Sequence, residues 1–132
     1  MHLSSILRSI ATVFLALVLV VPVMRAGEPP KELTPEEMKK LNGQMSTLAL
    51  KTFALINQSK FSEAAENLKK VVEIERQLFP AAKYPDGHAM LAATLNNTGS
   101  MYLSAGQYDQ AVSYIEQSLA MNRKLYPASK YP

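Results

Sequence analysis

From Thr34 onward, apolar residues return every three or four positions in four separate runs, with polar residues between them. The first run, Leu41, Met45, Leu48, Thr52 and Leu55, marks one buried stripe of a helix that ends near Ile56. Its start has a mechanism: Thr34 can cap, Pro35 suits a first turn that needs no donor, and Glu37 stands three residues after the cap to close a capping box. Asn57-Gln58-Ser59-Lys60 interrupts, and a second stripe follows at Phe61, Ala64, Leu68, Val71 or Val72, and Leu78. Lys69, Lys70, Glu73, Glu75 and Arg76 are left for its solvated side. Pro80 and Pro85 close that helix, and Asp86 is the expected cap of the next. A third stripe holds Leu91, Leu95, Thr98 and Tyr102. After the turn Ala105-Gly106-Gln107, a fourth runs through Tyr108, Ala111, Ile115, Leu119 and Leu125 to Pro127. No segment alternates as a strand does.

The four stripes form two hairpins that are copies of each other. LFPAAKYP at 78–85 returns as LYPASKYP at 125–132, an offset of 47. Over the window 60–85 against 107–132, Ala64/Ala111, Arg76/Arg123, Leu78/Leu125, Pro80/Pro127, Ala81/Ala128, Lys83/Lys130, Tyr84/Tyr131 and Pro85/Pro132 are identical without a gap. A shared register over a whole helix and its connector marks an internal repeat.

Residues 91–127, LAATLNNTGSMYLSAGQYDQAVSYIEQSLAMNRKLYP, resemble a tetratricopeptide repeat in the long-connector form of kinesin light chains. The resemblance rests on Leu95, Gly99, Tyr102, Gly106, Tyr108, Ala111 and Ser118 at the family's large, Gly, Tyr, Gly, aromatic, Ala and small positions. The first hairpin keeps Leu48, Phe61, Ala64 and Leu68 but has Thr52, Leu55 and Ser59 where Gly, Tyr and Gly are expected, as a diverged terminal unit does. The packing logic is one of size: Gly99 and Ala111 let two helices approach, and Tyr102 and Tyr108 are expected to fill the gaps between them. The period of 47 exceeds the usual 34 because the second helix runs on and the Pro-bearing connector is added. Two repeats are fewer than the three or so that such stacks normally need, and the alternative expectation is that the chain is the truncated N-terminal part of a larger multi-repeat protein with a catalytic or effector domain downstream.

The first quarter of the sequence differs in kind. Ile10 to Met24 carries no charge and follows Arg8. That length is short for a bilayer crossing of about 20 residues and suits the apolar core of an export signal. The organisation expected is a signal peptide or N-terminal anchor over 1–26, a linker over 27–33, and a repeat domain over 34–132, with repeat one about 34–85 and repeat two about 86–132. The expected location is exported, whether periplasmic, extracellular or secretory, with membrane attachment only through an uncut N-terminal segment. Cysteine is absent, so disulfides and thiolate metal sites are excluded. The formal charge of +3 includes Arg8 and Arg25; from Gly27 onward, 12 basic residues stand against 11 acidic ones, which removes the case for a nucleic-acid footprint.

Candidate chemistry is thin. Asp86 beside His88 has no second imidazole within reach of a metal reading, since the other histidine is His2 in the leader. Glu36/Glu37 and Glu73/Glu75 fall at a helix start and on a charged helix face. Met38, Met45, Met90, Met101 and Met121 read as gap fillers of a helical core. No nucleophile–base pair, phosphate loop or cofactor motif is present, and the chain is expected to be no enzyme and to hold no cofactor or metal.

The fold expected is all-α: two antiparallel helix-turn-helix hairpins stacked as the start of an α-α superhelix, preceded by an N-terminal hydrophobic helix. The resemblance implies that the first helix of each repeat lines a concave groove. On the second hairpin that puts Ala93, Asn96, Asn97, Ser100 and Ser104 in place to bind a peptide or protein partner, with self-association by repeat stacking as a further expectation.

Overall fold

The computed structural model describes residues 32–130, and the expected signal segment and N-terminal hydrophobic helix lie outside them. Among the described residues the chain is all-helical: α1 (Pro35–Asn57), α2 (Phe61–Leu78), α3 (Ala89–Ser104) and α4 (Tyr108–Leu125). None of these is long and apolar enough to cross a membrane. Each helix packs on its neighbours in the chain.

The backbone repeats as the sequence does. α1 begins on the expected capping box, with Glu37 N donating to Thr34 Oγ1 at 3.1 Å and Thr34 N donating to Glu37 Oε2 at 2.8 Å. The hairpin turns are equivalent: Ser59 takes φ 56° where Gly106 takes φ 74°. A serine in that left-handed region costs about 1 kcal/mol that glycine does not. Lys60 and Gln107 precede α2 and α4 at φ/ψ of −86°/62° and −94°/72°, and Phe79 and Tyr126 end them at −123°/63° and −128°/66°. The connectors fold alike as well, with Lys83 N donating to Pro80 O and Lys130 N donating to Pro127 O, both at 2.9 Å.

α3 is capped by His88, whose Nδ1 accepts from Met90 N at 3.2 Å, and not by Asp86. The reason lies in the connector. The His88 ring stacks on Phe79 with centroids 3.6 Å apart, and Tyr84 meets both rings edge-on at 5.5 and 5.4 Å. That cluster carries the chain past Asp86 before the helix starts. Gly87 between them, at φ 92°, lies so close to the Met121 side chain that a Cβ there would overlap it.

Cross-helix contacts fix the topology. Tyr102 Oη donates to Glu66 at 2.7 Å and Thr94 Oγ1 donates to Glu75 at 3.0 Å, so α3 runs antiparallel to α2. Ser118 Oγ donates to Ala92 O at 2.7 Å, and Gly99 lies against Ala111 and Ile115, so α4 runs antiparallel to α3. The core sits between these three helices, with Ala65, Tyr102 and Ala111 in one cluster and Val72, Leu91 and Leu95 in another. Of the α1 stripe, only Thr52 and Leu55 are fully buried. Gly99, Ala111 and Ser118 are buried as their small size implies.

Several expectations fail at the edges of this core. Tyr108 fills no gap between helices; it is 65% exposed, and Leu119 is also exposed. Both lie on the side of α4 away from α3. Met38 and Met90 are exposed rather than core fillers, whereas Met101 and Met121 do pack against the core clusters.

Glu75 is the largest departure, at 1% exposed on a helix face read as solvated. Thr94 satisfies one carboxylate oxygen, and the other, Oε2, is buried without a partner. Burial pushes the carboxyl pKa up, and the Thr94 hydrogen bond opposes it. Because the folded pKa is raised above the unfolded one, this group favours folding most below its unfolded pKa, and that contribution is lost as pH rises through the folded value. Glu75→Gln keeps an acceptor for Thr94 and removes the buried charge. It is expected to raise stability by about 1 kcal/mol at neutral pH, an increase of roughly 4–8 °C in Tm, and to have almost no effect near pH 4. Thermal melts of both proteins across pH check this; a gain that is largest in acid would refute it.

Candidate functional site

The five residues proposed for the groove lie along the outer side of α3. Ala93, Asn96, Asn97 and Ser104 are exposed and Ser100 is half-buried. The hydroxyls are committed to the helix itself: Ser100 Oγ donates to Asn96 O and Ser104 Oγ donates to Ser100 O, both at 3.0 Å. The amides of Asn96 and Asn97 therefore hold the hydrogen-bonding capacity that this face offers to a ligand, two donors and an acceptor each.

The face continues on α1, which runs parallel to α3 because each is antiparallel to α2. Subtracting 47 gives Ser46, Ala49, Leu50, Phe53 and Asn57. Leu50 and Phe53 are both strongly exposed, a large apolar pair unrelated to the core stripe of α1. The apolar stripe of α1 passes over these two residues. Shifting the α3 positions by the repeat offset recovers them. Ser46 Oγ donates to Asn42 O at 3.1 Å, the same inward use of the hydroxyl as on α3. None of these ten side chains is charged. The face can therefore grip apolar side chains on α1 and peptide amides on α3, with no ion pairing.

Two clefts lie elsewhere. One of about 690 Å³ is lined by Leu48, Lys70, Ile74 and Gln77 among others. Its counterpart 47 residues on, about 490 Å³, is lined by Leu95, Gln117, Met121 and Lys124. The two are the same place in the two hairpins, and in the second the connector residues Phe79, Tyr84 and Gly87 form part of the wall. Ser104 lines a smaller cleft of about 280 Å³ beside the hairpin turns with Ser59, Lys60 and Phe61; Ala93, Asn96, Asn97 and Ser100 line none of the three. Recognition on this face is thus by a shallow surface and suits an extended chain better than a small molecule. Among the described residues, no three His, Cys, Asp or Glu side chains come together as metal ligands do.

Burial pushes the Tyr102 phenol far above its ordinary range, reinforced by its hydrogen bond to Glu66 and the negative charge there. Tyr102 is a packing residue with a satisfied hydroxyl.

No curated protein and no solved structure matches the chain. Residues 91–129, which comprise nearly all of α3 and the whole of α4, match the family model of the tetratricopeptide repeat, and this supports a tetratricopeptide-repeat protein.

Proposed function

We propose that the chain is an exported, non-catalytic repeat scaffold that holds a peptide or protein segment along the outer faces of α1 and α3. The observation that carries this is the register-matched face itself: exposed Leu50 and Phe53 on α1, exposed Asn96 and Asn97 on α3, and no charge among its ten positions, on a chain whose second hairpin matches the tetratricopeptide repeat. The partner it suits is an extended segment with apolar side chains spaced along it and a free backbone for the two amides. The offset of 47 and the repeated connector support the long-connector, kinesin-light-chain-like form, and the uncharged run from Ile10 to Met24 supports export. Fusing residues 1–26 to a reporter that is active only outside the cytoplasm tests the export reading; an inactive, cytoplasmic reporter removes it.

Selection from a random peptide display library against the full chain tests binding on this face. An enriched consensus with apolar anchors is expected, and Phe53→Ser or Asn97→Ala should each raise the Kd about tenfold, a loss of ~1.4 kcal/mol. Moving from about 50 to about 500 mM salt should leave the Kd within roughly two-fold, because no ionised group on the face takes part. The reading fails if nothing is enriched, or if neither substitution weakens the enriched peptides.

A further inference from the structure

α4 is built as a copy of α2, but among the described residues no helix covers it as α3 covers α2. On α2, Ala65 and Val72 are 0% and 3% exposed beneath Tyr102, Leu91 and Leu95 of α3; 47 residues on, Val112 and Leu119 are 54% and 47% exposed. Tyr108 is exposed on the same side, and half-buried Ile115 lies between Val112 and Leu119 with Cγ1 toward Gly99. Tyr108, Val112, Ile115, Leu119 and Asn122 follow at steps of four, three, four and three. That is the spacing of a seam along which two helices pair knobs into holes, with Asn122 as its one polar member.

We propose that this face pairs with the same face of a second copy of the chain, α4 antiparallel to α4 about a two-fold axis. Head-to-tail stacking, in which α1 of one copy covers α4 of another as α3 covers α2, meets a conflict. Thr98 is completely buried on α3, one turn from the Thr94 that bonds Glu75, and its counterpart on α1 is Lys51; the counterpart of Leu91 is Gln44. A lysine ammonium is not left buried without a partner.

An antiparallel copy of α4 has no such conflict. Layers that set Ile115 against the partner's Leu119 and Val112 against the partner's Asn122 centre the pair near residue 117. Asp109, Glu116 and Arg123 recur every seven residues along one edge of the seam. In this register Asp109 lies within two residues, about 3 Å, of level with the partner's Arg123, twice by symmetry, while Glu116 meets its own counterpart near the axis. Two attractive pairs stand against one repulsive pair. A parallel arrangement would instead bring all three level with like charges. A single helix pair of this length buries an area at the small end of specific interfaces, below about 1,200 Å², so the dimer is expected to be weak and reversible.

Sedimentation equilibrium of the full chain, at concentrations up to about 200 μM to populate a weak dimer, tests the proposal. The expected mass is that of two chains, returning to one chain in Leu119→Asp with the helical circular dichroism unchanged. Asp109→Arg should weaken association, and Asp109→Arg with Arg123→Asp should restore it. The chain has no cysteine, so an introduced one is its only thiol. Glu116→Cys should form a disulfide-linked dimer under mild oxidation, whereas Asp109→Cys, about 24 Å from its own counterpart in this register, should not. A one-chain mass throughout, association that survives Leu119→Asp, equal cross-linking at both positions, or an open series of higher oligomers overturns the proposal, the last in favour of head-to-tail stacking.

Discussion

Replacing Gly99 with valine is expected to destabilise the protein by about 3 kcal/mol or more. A Cβ at this position would lie 2.6 Å from Ile115 Cγ1 and 3.0 Å from the Ala111 carbonyl oxygen. The isoleucine tip can turn aside, but the carbonyl belongs to the backbone of α4. Relief therefore requires the two helices to move apart and to loosen Ala111 and the Ser118–Ala92 hydrogen bond with them. Alanine gains about 1 kcal/mol of helix propensity over glycine, so Gly99→Ala should show the smaller net loss of ~1–2 kcal/mol. Gly43 supplies the control. It lies inside α1, a Cβ there would meet nothing within 4 Å, and Gly43→Ala should stabilise by about 0.5–1 kcal/mol. Urea melts of the three variants check the ordering; a Gly99→Ala protein as stable as Gly43→Ala would show that close approach of α3 and α4 is not what the glycine provides.

Gly99 was located by its place in the tetratricopeptide pattern, whereas other signals that held were local. The Thr34 capping box and the turn at Gly106 follow from one residue and its neighbours within a turn or two, while the small residues at Ala111 and Ser118 came with the resemblance. What could not be read was which side of a helix another helix would cover. Tyr108 and Leu119 keep the period of a buried stripe, but α4 has a neighbour on one side only among the described residues, so the stripe is half open. Glu75 errs in the opposite sense. It reads as part of a charged face with Glu73 and Arg76, and it becomes buried because α3 crosses α2 there and offers Thr94. The candidate groove shows the same division. Asn96 and Asn97 were visible as polar positions off the α3 stripe, whereas Leu50 and Phe53 gained meaning only when the repeat offset was applied to a helix with known exposed faces. Periodicity gives the number of helices and their inner faces. Neighbours decide which outer faces remain outer.

The same reasoning makes α3 the element on which the stack depends, since it is the helix that meets both α2 and α4, and Leu95 is its central side chain. Leu95 is fully buried between Val72 of α2 and Tyr114 and Met121 of α4. Truncation to alanine leaves a cavity bounded by three helices, each held by other contacts, so little collapse into it is expected. Leu95→Ala should cost about 3–5 kcal/mol, out of a total of roughly 5–10 kcal/mol for a domain of this size. At 4–8 °C per kcal/mol that is a fall in Tm of at least about 12 °C. Leu48 is the same position in the first hairpin and is only half-buried, so Leu48→Ala should cost less, about 1–2 kcal/mol. The slope of the denaturant curve carries a second readout. If Leu95 joins the two hairpins into one cooperative unit, its loss lets them melt separately, and the apparent m-value falls as well as the midpoint; Leu48→Ala should move the midpoint alone. Equal midpoint shifts for the two variants would show that the coupling between repeats does not run through Leu95.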